Sequence, residues 1–319
     1  MKITVIGCGR WGSLITWYLD RLGHEVTLYG KSDAPQMIEF LATRSNPLLT
    51  LPESVRLSTD ITSVCDAEVI IISIPSQGLR SLMANELSAL NLKDKIFVLC
   101  MKGIEIDTGK RLSEVVEEEC DESNRVAVWI GPGHVQEFYA GIPNCMVIDS
   151  RSNRVKERLV EAFSGDLIRF YYGRDMIGNE IGAAAKNVIG IAAGFLDGTG
   201  LSTLKGALMS RGTREVSRLI DAMGGNPFSA YSLCHLGDYE ATVFSPYSHN
   251  RRFGELLAKG ESYHELAEGY YTAAAIHRLA EKHHVEMPIC EAVYRVLYEG
   301  KDGREEFNGL FRRSLKNEF

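Results

Sequence analysis

The run Gly7-Cys8-Gly9-Arg10-Trp11-Gly12 constrains this chain more than any other feature, because of what stands on either side of it. Before it, KITVIG is a largely apolar run of strand character; after it, Trp11, Leu14, Ile15, Tyr18, Leu19 and Leu22 recur at helical spacing. HEVTLYG then follows the turn residue Gly23 as a second strand. Strand, glycine turn, helix and strand make one βαβ unit within about 30 residues. In such a unit Gly7 permits a tight turn, Gly9 lets the backbone approach a pyrophosphate, and Gly12 lets the helix pack on the strand. The helix N-terminus attracts the phosphate charge. A glycine turn in another doubly wound fold is the competing reading, and the strand–helix–strand context argues against it.

Further strand-like runs follow at residues 68–75, 95–103, 126–131, 145–150 and 167–173, with helical patterns between several of them. Alternation of this kind gives a mostly parallel sheet covered by helices on both faces. After about residue 178 the strand runs almost stop. The chain becomes Ala-, Leu- and Glu-rich helix broken by turn clusters such as GGNPFS (224–229) and SPYSHN (245–250). The expected architecture is an α/β Rossmann domain over residues 1–178, doubly wound on a mostly parallel sheet, followed by an all-α domain over residues 179–319. A chain of 319 residues is long enough for two domains, each with its own core. No Pro- or Ser-rich linker separates them, so a cleft between the two is the expected ligand site.

A formal net charge of −7 argues against nucleic acid or an anionic membrane as the main partner, since both recruit clustered Lys and Arg. A small ligand fits better. The seven cysteines (Cys8, Cys65, Cys100, Cys120, Cys145, Cys234, Cys290) are scattered and never form a CxxC pair. Neither a disulfide framework nor a zinc site is suggested, and a reducing cytoplasm is expected. The histidines show no metal-binding spacing, so no metal is expected. Gly7, Gly9 and Gly12 interrupt the N-terminus where a signal peptide would be apolar, and the nearest approach to a spanning helix, residues 181–196, contains Lys186 and Asn187. No membrane insertion is expected.

Specificity between dinucleotides usually comes from an acid at the end of the second strand. Here that place reads YGKSD: Lys31 and Ser32 are suited to a 2′-phosphate and Asp33 is the only acid close by, so NADP is favoured over NAD, with a solvated loop lysine as the bland alternative. The most informative segment is EIGAAAKNVIGIAAGFLDG (180–198), small and apolar with one lysine in its middle. An ammonium on such a face is costly unless paired or working, which marks Lys186 as a proton donor or acceptor; a lysine snorkelling at a helix edge is the competing reading. Asn187 beside it offers an amide to orient a polar group. Lys102 ends an apolar strand at the carboxyl edge where open α/β sheets bind ligands, and IGPGH (130–134) places a second glycine turn, Gly131 and Gly133, on that edge. The cluster LGDYEAT to SHNRRFG (236–254) combines Asp238 and Thr242 with His249, Asn250, Arg251 and Arg252, an acid with an amide and guanidinia suited to a phosphorylated polyol, with a capped turn or a solvated charge run as the competing reading.

GCGRWG, CMKGIE, IGPGHVQEFYAGIPN, IGAAAKNVIGIAAG, SRG, SHNRRFG, AEGYYTA and VEMPI occur in one order over nearly the whole chain, which resembles the bacterial NAD(P)-dependent sn-glycerol-3-phosphate dehydrogenases. The resemblance implies reversible hydride transfer between NAD(P)H and dihydroxyacetone phosphate, supplying glycerol 3-phosphate for phospholipid head groups. It implies Lys186 as general acid and, in reverse, general base, with Lys102, Asp238 and Thr242 ordering the reacting end. Ser248, Asn250 and Asn187 would hold the substrate and its phosphate, and Gly131 and Gly133 would line it. Arg10, Trp11, Lys31, Lys102, Val135, His249 and Glu268, with the three glycines, fall where the family touches the dinucleotide. A homodimer is the expected assembly. Two positions depart from the family: Gln136 stands where lysine is usual, and His249 where arginine is usual, so that Arg251 is the expected substitute on the phosphate unless the substrate is another polyol phosphate or a hydroxy acid. A dinucleotide sensor without turnover is the remaining alternative, opposed by the presence of Lys186, Asn187 and Asp238.

Overall fold

Four successive β-branched residues, Val69–Ile72, form β4, and all four are buried; Ile96–Leu99, forming β5, is buried at every position as well. Strands buried on both faces require covering layers on both sides, as in a parallel sheet flanked by helices. The computed structural model describes residues 1–315 and 317. They divide into two compact units, Met1–Lys102 with Lys110–Glu180 and Gly103–Gly109 with Ile181–Phe319.

The first unit is built on an eight-stranded sheet in the order β3-β2-β1-β4-β5-β6-β7-β8. The remaining strands are β1 (Lys2–Ile6), β2 (Glu25–Tyr29), β3 (Arg56–Ser58), β6 (Arg125–Ile130), β7 (Asn144–Ser150) and β8 (Ile168–Tyr172). Every pairing is parallel except β6 with β7. The chain runs outward from β1 to β3 and returns to lay β4 against the other side of β1, so the order reverses there. Such a reversal opens a crevice at the carboxyl ends of the strands. Short β3 escapes the sequence patterning because only Ser58 of its three residues is buried.

Helices α1 (Arg10–Arg21), α2 (Pro35–Thr43), α3 (Leu79–Ser81), α4 (Leu112–Glu119), α5 (Val135–Tyr139) and α6 (Asn153–Phe163) belong to this unit, and α3 continues as a π-helical turn over Leu82–Leu87. Leu14, Ile15, Tyr18 and Leu19 of α1 enter the core, each fully buried aliphatic contributing about 1.5–3 kcal/mol. The Tyr18 hydroxyl donates to the Phe163 carbonyl at 2.6 Å, which fixes α1 to the end of α6. Glu180 is buried against Arg111 (2.6 Å) and also accepts from the Ser113 backbone N–H (2.9 Å), so its carboxylate sits at the α4 N-terminus.

The second unit is helical: most of α7 (Met176–Gly198), then α8 (Lys205–Ala222), α9 (His249–Lys259), α10 (Glu268–His283), α11 (Pro288–Tyr298) and α12 (Gly303–Leu310). Residues 181–196 of α7 are all buried, the condition of a central helix that is apolar all round. Its glycines allow a close crossing with α9. A Cβ at Gly194 would lie 1.8 Å from the Arg251 carbonyl oxygen, and one at Gly254 of α9 would lie 2.0 Å from that of Ile191. The detached segment Gly103–Gly109 is joined to this unit by Arg278 of α10, whose Nη1 donates to the carbonyls of Ile106 (2.8 Å) and Asp107 (2.9 Å). No helix among the described residues is long and apolar enough to cross a membrane.

Candidate functional site

In the first unit the glycines of GCGRWG divide by task. Gly7, at φ +112°, would bring a Cβ within 2.2 Å of the Ser73 carbonyl oxygen, and Gly12 would bring one within 1.8 Å of the Gly7 carbonyl oxygen. Both are required by close packing of β1, α1 and the end of β4. At Gly9, by contrast, a Cβ meets nothing within 4 Å. No side chain caps α1 at Gly9 and its first turn carries no acid. An open glycine edge beside an uncapped helix N-terminus suits a pyrophosphate, so these residues fit a dinucleotide.

Arg10 opens α1, and its Nη2 donates to Gln136 Oε1 at 3.4 Å, so one departure from the family pattern contacts a predicted cofactor residue. Trp11 lies 6.0 Å from the Phe138 ring. Val135, expected at the dinucleotide, is buried in the core of the unit at the start of α5. Gly131 and Gly133 both have positive φ, and a Cβ at Gly133 would lie 2.2 Å from the Phe138 ring. Lys102 donates to the Gly131 carbonyl at 2.6 Å, joining the turns after β5 and β6. Lys31, beyond β2, pairs with Glu86 at 2.8 Å, and that bond and charge push its ammonium further above the usual lysine range. Besides Asp33, a second acid therefore stands near the end of β2, brought there in space by the π-helical turn.

In the second unit Lys186 is buried, and its Nζ lies 2.6 Å from Asp238 Oδ2 and donates to Thr242 Oγ1 at 2.8 Å. Asp238 ends a 3₁₀ turn (Leu236–Asp238) and Thr242 lies on the π-helical turn Glu240–Phe244 that follows. The Thr242 hydroxyl donates to the Asp238 carbonyl at 2.8 Å, so acid and hydroxyl grip the ammonium as a unit. The expectation from α7 alone was a lysine destabilised by apolar surroundings. With a buried carboxylate beside it, burial and pairing oppose one another, and the charged form has a partner.

Asn250 links two helices to α7: its Nδ2 donates to Asn187 Oδ1 at 3.1 Å, and its Oδ1 accepts from the Gly269 N–H of α10 at 2.9 Å. Ser248 caps α9, its Oγ accepting from the Arg251 N–H at 3.2 Å. His249, the first residue of α9, is half-buried with Nδ1 2.6 Å from the Tyr263 hydroxyl and 3.1 Å from Glu265. Glu268 begins α10, and its carbonyl accepts from Thr272. Arg251, the expected substitute on the phosphate, is held elsewhere, with Nε on the Ser245 carbonyl (3.0 Å) and Nη1 on Asp197 (2.8 Å), where Lys205 also pairs with Asp197 (2.6 Å). That cluster fixes the ends of α7 and α9.

The second unit thus brings together Lys186, Asp238 and Thr242, and next to Lys186 in the chain Asn187 with Asn250. The first unit brings together Lys102 with Gly131 and Arg10 with Gln136. Sequence reasoning passed over Glu86, which has no motif around it, and His235, a lone histidine in LCHLGD. His235 is fully buried, with Nδ1 2.8 Å from the Gly182 carbonyl and Nε2 2.7 Å from the Tyr239 hydroxyl. Burial pushes it down to about 4; the Gly182 bond opposes this and the Lys186 charge adds to it. Among the described residues no group of three or more His, Cys, Asp or Glu could hold a metal ion.

Comparison with known proteins matches residues 2–156 to a family model described as NAD-dependent glycerol-3-phosphate dehydrogenase N-terminus and residues 175–308 to the corresponding C-terminus. A glycerol-3-phosphate dehydrogenase [NAD(P)+] of Thermoanaerobacter sp. (strain X514) is 37% identical over 330 residues, covering 100% of this chain and 99% of that protein. One from Chlorobium phaeobacteroides (strain BS1) is 38% identical over 334 residues, with the same coverage of 100% and 99%. The crystal structure of glycerol-3-phosphate dehydrogenase from Coxiella burnetii superposes with a TM-score of 0.91 at 30% identity, covering 98% of this chain and 99% of that one.

Proposed function

The chain belongs to the NAD-dependent glycerol-3-phosphate dehydrogenase family, and on that premise we infer that it interconverts dihydroxyacetone phosphate and sn-glycerol 3-phosphate with NAD(P)H as hydride donor. One observation carries the mechanistic part: a buried lysine, the sole cation of an apolar helix segment, held at 2.6 Å on a buried carboxylate and at 2.8 Å on a hydroxyl. When bound, the nicotinamide supplies hydride to the carbonyl carbon. The charge left on oxygen must be neutralised as it forms, and Lys186 donates that proton. Asp238 holds the Lys186 ammonium through the 2.6 Å ion pair, and Thr242, at 2.8 Å, aims it. In the reverse direction the neutral amine accepts the hydroxyl proton.

Gly7, Gly9, Gly12, Arg10 and Trp11 hold the dinucleotide, with Lys31 at its ribose end and Lys102, Val135, His249 and Glu268 as further contacts. Lys102, Gly131, Gly133, Asn187, Ser248, His249 and Asn250 bind the substrate. Because Arg251 is committed to Asp197, His249 and the amides carry the phosphate. NADP use is supported by Lys31 and Ser32 and opposed by Glu86. A cytoplasmic homodimer that supplies phospholipid synthesis completes the reading. Its test is initial-rate oxidation of NADH and of NADPH against a panel of dihydroxyacetone phosphate, other ketose phosphates and 2-oxo acids. Preference for dihydroxyacetone phosphate is expected; preference for a 2-oxo acid overturns the substrate assignment.

A further inference from the structure

His235 reaches the acid site from behind. Its ring nitrogen Nδ1 lies 2.8 Å from the Gly182 carbonyl, which can only accept, so Nδ1 carries the proton and Nε2 accepts from the Tyr239 hydroxyl at 2.7 Å. Full burial keeps this neutral tautomer in place. Gly182 precedes Lys186 by one turn of α7, so the carbonyl that His235 holds is also the one toward which the Lys186 backbone N–H points. At its other end the His235 carbonyl accepts from the Asp238 N–H at 3.0 Å, and Asp238 is the residue that pairs with Lys186. The approach is close: a Cβ on Gly182 would lie 3.0 Å from the His235 Cβ, so residue 182 must be small for the ring to reach the helix.

We propose that His235 is a positioning residue which clamps the turn bearing Asp238 and Thr242 to the turn of α7 bearing Lys186, and so sets the distance and direction of the proton-donating ammonium. It touches no substrate. The proposal rests on the reading of Lys186 as the acid. Its logic is geometric: one ring spans the two strands of chain whose side chains must meet, and a shift of about 1 Å at such a group costs on the order of 10²-fold in rate.

The test is a set of three variants, His235→Ala, His235→Asn and His235→Gln, assayed for kcat and KM with dihydroxyacetone phosphate and for NAD(P)H affinity by fluorescence titration. The amide nitrogen of Asn occupies the place of Nδ1 relative to the backbone and keeps the bond to Gly182; that of Gln lies one carbon farther and loses it. His235→Ala and His235→Gln are expected to lose on the order of 10–100-fold in kcat, with cofactor affinity unchanged, while His235→Asn recovers most of it. Equal kcat in the Asn and Gln variants, or wild-type kcat in His235→Ala, overturns the proposal. If His235→Ala does not fold, the Asn–Gln comparison decides alone. Crystal structures of the Asn and Gln variants separate this from the function itself: the Lys186–Asp238 pair must stay closed with Asn and open with Gln, and a pair closed in both refutes the clamp even if the wild-type enzyme proves inert toward dihydroxyacetone phosphate.

Discussion

Replacing Gly194 with alanine inserts one methyl group where α7 crosses α9. The new Cβ would stand 1.8 Å from the Arg251 carbonyl oxygen, a backbone atom that cannot swing aside. Restoring an ordinary contact requires the helices to part locally by roughly 1.5 Å. Asn250 precedes Arg251 on α9, and its 3.1 Å bond to Asn187 then stretches beyond hydrogen-bond reach. Overpacking costs about 1–3 kcal/mol, and the lost bond about 0.5–1.5 kcal/mol. The better helix propensity of alanine returns about 1 kcal/mol, leaving a net loss of roughly 0.5–3.5 kcal/mol. Because Asn187 adjoins Lys186, kcat should fall by on the order of 10²-fold. Urea unfolding and steady-state kinetics read the two effects. Gly206→Ala on α8, where a Cβ meets nothing within 4 Å, is the control and should leave both unchanged or gain slightly in stability. If Gly194→Ala matches that control in both assays, the close crossing is not what positions Asn187.

Glu86→Gln should lower the dissociation constant for NADPH relative to NADH, because it removes a carboxylate 2.8 Å from Lys31, and Lys31→Asp should do the reverse; equal effects on both cofactors in a binding titration would show that neither residue meets the ribose end. Glu215 is buried, accepts from the N–H groups of Ile289 (2.8 Å) and Cys290 (3.2 Å) at the start of α11, and burial pushes its carboxyl up to about 7. Between the ordinary carboxylate range and that value the folded state binds more protons than the unfolded one, so this contribution is full at low pH and lost as pH rises toward 7. At about 1.4 kcal/mol per pH unit the loss approaches 3 kcal/mol, and Glu215→Gln should flatten it; identical pH slopes in urea unfolding for wild type and variant would refute the assignment.

What the sequence could show follows from locality. GCGRWG, the helical spacing of Leu14, Ile15, Tyr18 and Leu19, and the apolar runs of β4 and β5 are short-range patterns, and they carried the α/β reading and the parallel sheet. β3 lacked such a pattern, having one buried residue in three. Beyond the strand run expected over 95–103, the grouping of Gly103–Gly109 with the helical unit is not legible in the sequence, because its attachment to Arg278 goes through backbone carbonyls, which leave no trace in residue type. Lys186 stands out as a charge in an apolar helix and Asp238 as the acid of a polar cluster, but their pairing joins segments far apart in the chain, which composition does not reveal. Arg251 looked available by composition; its bonds to Asp197 and Ser245 depend on where α9 crosses α7. The glycines of α7 read as a small-residue run, and the structure gives the reason: backbone of α9 occupies the space their side chains would fill. Glu86 and His235 act through contacts between distant segments, which single-sequence patterning does not reach.

The most direct test of the account is the turnover number of Lys186→Ala with dihydroxyacetone phosphate and saturating NADH or NADPH. Loss of a general acid predicts a fall of about 10²–10⁴-fold in kcat, with dinucleotide affinity nearly intact because Gly7, Gly9, Gly12 and the α1 N-terminus lie in the other unit. Lys186→Arg should recover little, since a guanidinium releases its proton too reluctantly. A Lys186→Ala enzyme that keeps more than about a tenth of the wild-type kcat falls outside that range and would contradict the mechanism, making Lys102 the leading proton donor.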